Sequence, residues 1–161
     1  MKHLSNVSLR PATLDDADPL EALSAKTIRV KYPAILGTDA VEGYIASGAI
    51  GAYYRQHVAT LTVAEHAGIR IGVCAIQPAR IDLMMVDLDH HRSGVGALLL
   101  ADGERKLFAA ADRIGLDCFR QNDQARRFYA KHGWLDDRLF EDEDHGIAMI
   151  HLVKPRPASL G

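Results

Sequence analysis

Hydrophobic and polar positions change their period several times along the chain, and each change marks an element. Val7 and Leu9 alternate with Ser8 and Arg10, the two-residue period of a short half-buried strand running to Ala12. Thr13-Leu14-Asp15-Asp16 then offers helix caps. Because Pro19 is tolerated only in a first turn, a cap at Asp15 or Asp16 is expected, with a helix through Leu20, Leu23 and Ile28. It must end before Tyr32-Pro33, since the residue preceding proline is pushed out of the helical region. A second helix is expected after a cap at Thr38, with Val41, Tyr44 and Ile45 as its buried stripe and Gly48 and Gly51 interrupting it. From Ala59 the period is two: Ala59 to Ala64 and Ile69 to Ile76 read as strands joined by a hairpin turn at His66-Ala67-Gly68, and Ile81 to Leu88 as a third. A helical period follows from Val95 to Arg113, carried by Leu98, Leu99, Ala101, Leu107 and Phe108, with Gly103 as a weak point. Leu116 to Phe119 reads as a buried strand, Asn122 opens a helix that stops at Gly133, and Trp134 to Phe140 and Gly146 to Val153 read as final strands around the acidic loop Glu141 to Asp144.

Hairpins followed by strand, helix, strand, helix and strand imply an α/β fold with a mixed sheet and helices on both faces. Such sheets take ligands at the carboxyl ends of their strands. At 161 residues the chain suits one domain, 1–161, with flexible ends expected at 1–6 and 155–161. The 19 basic and 21 acidic side chains nearly cancel, which argues against nucleic acid or a membrane surface as partner and for small-molecule chemistry. Cys74 and Cys118 each lie in an apolar run without metal-ligand spacing, so two reduced thiols are expected. The opening MKHLSNVSLRP has no apolar signal region, and no apolar run approaches the ~20 residues needed to span a bilayer; a cytoplasmic location is expected.

Candidate chemistry concentrates between Ile81 and Leu107. The apolar run Leu83-Met84-Met85-Val86 passes through a charged corner, Asp87 to Ser93, into Gly94-Val95-Gly96: a strand, a turn and a helix start. Glycines there let the backbone approach a ligand closely, and the unpaired N–H groups of the first turn, helped by the helix dipole, favour a phosphate. A dinucleotide-binding loop starts the same way, but Leu99 stands where its third glycine belongs, and Asp117 lies within the next strand rather than at its end. His90 and His91 with Asp87 and Asp89 do not read as a metal site, because neighbouring side chains in extended backbone point apart. No metal is expected.

Two motifs carry a resemblance. His91-Arg92-Ser93-Gly94-Val95-Gly96 is similar to a pyrophosphate loop of the pattern Gln or Arg, any two residues, Gly, any residue, Gly or Ala, with His91 in the first place. Asn122, Ala125, Phe128, Tyr129 and Gly133-Trp134 match the pattern Asn-x-x-Ala-x-x-Phe-Tyr followed by Gly and an aromatic. With the opening Leu9-Arg10-Pro11-Ala12-Thr13 and Asp16-Ala17, the chain resembles a GCN5-related N-acetyltransferase (GNAT) over nearly its whole length. That resemblance implies a single-domain GNAT fold with a mostly antiparallel central sheet of about seven strands.

It also implies acetyl-CoA as co-substrate. The coenzyme would be held by Met84, Met85 and Val86 on the strand, by His91, Arg92, Ser93, Gly94, Val95, Gly96 and Ala97 at the helix mouth, and by Asn122, Ala125 and Phe128. Backbone near Val86 would steady the oxyanion, and Tyr129 would be the catalytic acid that protonates the departing thiolate. The acceptor would be a small-molecule or peptide amine chosen by Tyr32 to Tyr54 and by the loop Glu141 to His145, and a homodimer is compatible with the resemblance. Glu65, Asp82, Asp87, Glu141 and Glu143 stand equally as bases, alongside ordered water. A non-catalytic acyl-CoA-binding sensor is the alternative reading.

Overall fold

The computed structural model describes residues 6–158, so the expected flexible ends at 1–5 and 159–161 lie outside the described residues. Its sheet has the order β1-β2-β3-β4-β5-β7-β6. The strands are β1 (Val7–Pro11), β2 (Leu61–His66), β3 (Ile69–Gln77), β4 (Arg80–Val86), β5 (Arg113–Phe119), β6 (Leu135–Glu141) and β7 (Ala148–Pro155). Every neighbouring pair is antiparallel except β4 with β5, so the mixed, mostly antiparallel sheet of seven strands is what forms. Helices α1 (Ala17–Lys31), α2 (Pro33–Leu36), α3 (Thr38–Ala46) and α4 (Ala49–Gln56) precede β2; α5 (Val95–Phe108) follows β4 and α6 (Asp123–Lys131) follows β5.

Strand alternation sorts the apolar side chains onto two faces. Val63, Val73, Ala75 and Met85 pack against Leu20, Leu23, Ile28, Val41 and Ile50 of the first helices. Ile71, Cys74, Ile81, Ile114, Leu116, Ile150 and Leu152 pack against Val95, Leu99, Leu100, Leu107 and Phe108 of α5 and Tyr129 of α6. Burying each such side chain contributes about 1.5–3 kcal/mol, which is why the apolar period forecasts the layers so well. Gly103 is a close-packing position rather than a weak point: a Cβ there would stand 3.1 Å from Ile81 Cδ1 and 3.3 Å from Cys74 Sγ.

Elsewhere tertiary contacts override local signals. Asp16 stands at the N-cap of α1, as expected, but its side chain makes no cap hydrogen bond into that helix; it is 1% exposed and gathers charges. It accepts from Arg10 Nη1 and Nη2, Arg70 Nε and the Thr13 N–H, each at 2.8 Å, and so ties β1, β3 and the start of α1 together. The Arg10 guanidinium, against the opposing cost of burial, holds its carboxyl well below the usual carboxylate range. Gly37, not Thr38, precedes α3, and three helices occupy 33–56 where one was expected. Tyr44 of the expected buried stripe is exposed, whereas Tyr54 is buried with its hydroxyl 2.6 Å from Ser24 Oγ. Helix α5 stops at Phe108 and β5 starts at Arg113, because Arg113 pairs with Pro155. For the same reason β7 runs through Pro155, and the Arg156 N–H donates to Asp112 O at 2.7 Å, so the ordered chain extends beyond the expected start of the tail.

Candidate active site

The two parallel strands are joined at a single registered position, Arg80 with Gly115. Strands β5 and β7, by contrast, stay in register from Arg113–Pro155 to Phe119–Met149. Beyond Arg80 the parallel pair therefore diverges, and a wedge opens between Met84–Val86 and Asp117–Phe119. The side of β4 that faces the wedge follows from its pairing. Asp87 N–H donates to Ile71 O at 2.9 Å, and the register continues as Gly72–Val86 and Val73–Met85. Alternation in an antiparallel ladder then makes Met85 and Leu83 the residues bonded to β3, while Met84 and Val86 turn their N–H and C=O groups toward the wedge. Asp82 is the extra residue of a bulge, lying between the pairs Ile76–Ile81 and Ala75–Leu83.

At the open end of the wedge the chain makes a 3-10 turn over Leu88–His90 and enters α5 through Arg92 (φ 63°) and Gly94 (φ 90°), the second in a left-handed conformation that suits glycine. The first-turn N–H groups of Val95, Gly96 and Ala97 have no intrahelical acceptor and face this mouth. Lys26 of α1 fastens the turn at Asp87 (3.0 Å) and Asp89 (2.8 Å), and Ser93 Oγ donates to His90 O. His91 turns its ring back onto the strand, with Nε2 2.8 Å from Val86 O, so that nitrogen is not offered to a phosphate. Arg92 is exposed.

The second motif meets the first here. A Cβ on Gly96 would lie 3.4 and 3.5 Å from the Phe128 ring and 3.8 Å from Val86 Cγ2, so helix mouth, α6 and the end of β4 converge at one point. Asn122 caps α6, its Oδ1 accepting from Ala125 N–H at 3.2 Å, which leaves its amide nitrogen as a donor for another partner. Ala125 packs beside the core. Tyr129 is 8% exposed, its ring 5.2 Å from Phe128 and 5.9 Å from Trp134. Trp134 is itself anchored by Glu104 Oε1 at 2.9 Å, which Lys154 also grips at 2.8 Å. Burial pushes the Tyr129 phenol well above the ordinary tyrosine value, so it keeps its proton across the working pH range. Among the described residues the hydroxyl makes no hydrogen bond, and it is not one of the polar atoms sealed without a partner.

A polar group that sequence reasoning missed lies across the closed end of the wedge, on the face opposite α5 and α6. Arg80 stands 3.5 Å from Asp82 and 3.6 Å from Asp117, the two carboxylates that flank the wedge on β4 and β5. Each has a second partner: Tyr53 Oη donates to Asp82 at 2.5 Å, and His151 Nδ1 is 2.6 Å from Asp117 Oδ1. Alternation with Leu116 and Cys118 would have placed Asp117 on this face, but nothing local brings β7 beside β5. Of the other carboxylates considered as bases, Glu65 is paired with Arg10, Asp87 with Lys26, and Glu141 and Glu143 are exposed. Asp142, Asp144 and His145 cluster in the turn after β6, where Asp142 accepts from the His145 N–H at 2.7 Å.

A family model described as an acetyltransferase (GNAT) domain matches residues 25–155. This chain belongs to the GNAT acetyltransferase family. Curated relatives of this acetyltransferase include uncharacterized N-acetyltransferases of Mycobacterium tuberculosis and Mycobacterium bovis, each 23% identical over 134 residues that cover 75% of this chain and 84% of theirs. Among solved structures, a GCN5-related N-acetyltransferase from Rhodopseudomonas palustris superposes with a TM-score of 0.83 at 21% identity, covering 96% of this chain and 99% of that one. The PaiA N-acetyltransferase of Thermoplasma acidophilum, crystallised with coenzyme A, gives 0.77 at 15% identity, covering 94% and 99%. At such identities these two likenesses speak for the fold of the acetyltransferase. No helix among its described residues is long and apolar enough to cross a membrane.

Proposed function

We propose that this acetyltransferase moves the acetyl group of acetyl-CoA to a primary amine by direct attack with both substrates bound. The observation that carries the reading is the single-position pairing of β4 with β5, which leaves main-chain groups of Met84 and Val86 facing a wedge that ends at the bare N–H groups of α5. A pantetheine arm would add to β4 as an extra strand, its diphosphate on Val95, Gly96 and Ala97, with Phe128 behind the loop. In that pose Val86 N–H meets the thioester oxygen as negative charge develops on it, and holding amine and thioester together in the wedge supplies much of the acceleration. Tyr129 would protonate the departing sulfur.

A thiolate is already a fair leaving group, with a thiol pKa near ~8.5, so help from Tyr129 is modest. Tyr129→Phe should lower kcat by about tenfold, less than the ~10²–10⁴-fold usual for general acid catalysis, while coenzyme affinity measured by calorimetry changes by less than about threefold. An unchanged kcat would remove Tyr129 from the mechanism. The reading as a whole is tested by coenzyme A release from acetyl-CoA in the presence of spermidine, kanamycin, L-lysine or a short peptide with a free N-terminus. Release that depends on one of these amines is expected; tight coenzyme binding without any transfer would instead favour a sensor on the same scaffold.

A further inference from the structure

Resting on the transfer reading, we infer that the acceptor is a primary amine carried on an aryl group, its ring held by Phe119 and Tyr32 beside the seat of the thioester. The coenzyme mouth and Tyr129 lie on the side of α5 and α6, so the acceptor meets the wedge from the opposite face. Register fixes what it meets there. Counting four residues on from the joined pair Arg80 and Gly115 leads to Met84 on β4 and Phe119 on β5, at the same level on the two sides of the opening. An arm inserted between two strands lies ~4.8 Å from each, so a nitrogen attacking beside Met84 adjoins Phe119.

Phe119 stands on the acceptor face because its neighbours Leu116 and Cys118 alternate the other way, into the core beneath α5 and α6. Its ring meets Tyr32 edge-on, with centroids 5.0 Å apart. Tyr32 ends α1, whose last turns run across the open part of the wedge: Lys26 holds Asp87 just past β4, and Lys31 Nζ donates to Gln124 Oε1 of α6 at 2.9 Å. Both rings are half-buried. Among the described residues, Phe119 and its cross-strand partner Met149 pack into neither core, which leaves their apolar surface for a guest. Half-buried Leu83 supplies the β4 side. Burial raises the Tyr32 phenol above its ordinary value, so this aromatic wall is uncharged at neutral pH.

The ionic surroundings argue against a polycation. Asp82 and Asp117 are the only carboxylates on β4 and β5. Asp82 accepts from Tyr53 Oη at 2.5 Å and stands 3.5 Å from Arg80; Asp117 is 2.6 Å from His151 Nδ1 and 3.6 Å from Arg80. Asp87, just past β4, is taken by Lys26 and His90. Glu141 is on β6, beyond β7 from the wedge. A second ammonium of a polyamine or aminoglycoside would lose water in the wedge without gaining an unpaired carboxylate. An aryl ring needs none.

The test measures transfer to ethylamine, phenethylamine and spermidine and, separately, calorimetric binding of phenethylamine to the protein saturated with coenzyme A. In kcat/KM, phenethylamine should exceed ethylamine by about 50-fold, as the burial of one ring allows, and spermidine by about tenfold or more. Phe119→Ala should cut the phenethylamine-to-ethylamine ratio by about tenfold and weaken phenethylamine binding to a similar degree. Phe119→Leu, which keeps apolar bulk, should cut both by about threefold or less. The ratio isolates the ring contact, because a general structural defect lowers both amines alike. Equal rates for ethylamine and phenethylamine, a preference for spermidine, or an unaltered ratio in Phe119→Ala would overturn the aryl assignment while leaving the transfer reading intact. No coenzyme A release with any amine, these or the earlier four, would overturn both.

Discussion

Gly96→Leu is expected to weaken coenzyme A binding by about 10²-fold or more, whereas Gly96→Ala should bind nearly as the unaltered protein does. A Cβ at this position makes ordinary contact with the Phe128 ring, at 3.4 and 3.5 Å, and with Val86 at 3.8 Å. Alanine therefore fits. A longer side chain cannot pass Phe128 and must turn out over the first-turn N–H groups of α5, where the diphosphate is proposed to rest. Hydrogen bonds to a charged partner are worth about 1.5–3 kcal/mol each, so losing two is enough for the stated loss. Calorimetric titration with coenzyme A checks both variants; equal affinity for the leucine variant would show that the phosphates lie elsewhere.

Asp16→Ala should cost about 3 kcal/mol of folding stability, a fall in thermal midpoint of roughly 10 °C. Removal of the carboxylate strips four hydrogen bonds at 2.8 Å and leaves Arg10 and Arg70 facing each other. The figure sits at the low end for a buried pair because both guanidinium groups still reach solvent, at 31% and 28% exposure. The pH dependence has a definite sign. The folded carboxyl titrates below its unfolded value near ~3.9, so its contribution is complete above that value and is lost as pH falls toward the folded one. Melts between about pH 2 and 6 should show this decline in the unaltered protein, and Asp16→Asn should flatten it. A decline of unchanged slope in the variant would assign acid lability to other carboxylates.

What could be read from the chain alone was whatever is encoded locally. Seven strands, the stop before Pro33, the Ala67-Gly68 turn (φ 50° and 77°) and the Asn122 cap all depend on neighbours in sequence, and all are present. The cofactor-loop and Asn-to-Trp motifs are local too, and the structure brings them together at Gly96 and Phe128. Where distant segments decide, the local signal misled. Ala109, Ala110 and Ala111 are strong helix formers, yet the pairing of Arg113 with Pro155 ends the helix early. Tyr54 is buried because Ser24, thirty positions away, supplies its hydrogen bond. The divergence of β4 from β5 and the meeting of Asp117 with His151 depend on strand order, which periodicity does not carry.

The alternate pairing of β4 sets a rhythm in how fast its amides trade hydrogen for deuterium. Leu83 and Met85 share bonds with β3 and should be slow; Met84 and Val86, one residue away on either side, should be fast, giving a sawtooth along four consecutive positions. A guest lying along the strand would flatten that sawtooth from its fast side, so deuterium uptake can locate an occupied wedge in solution before any turnover is measured.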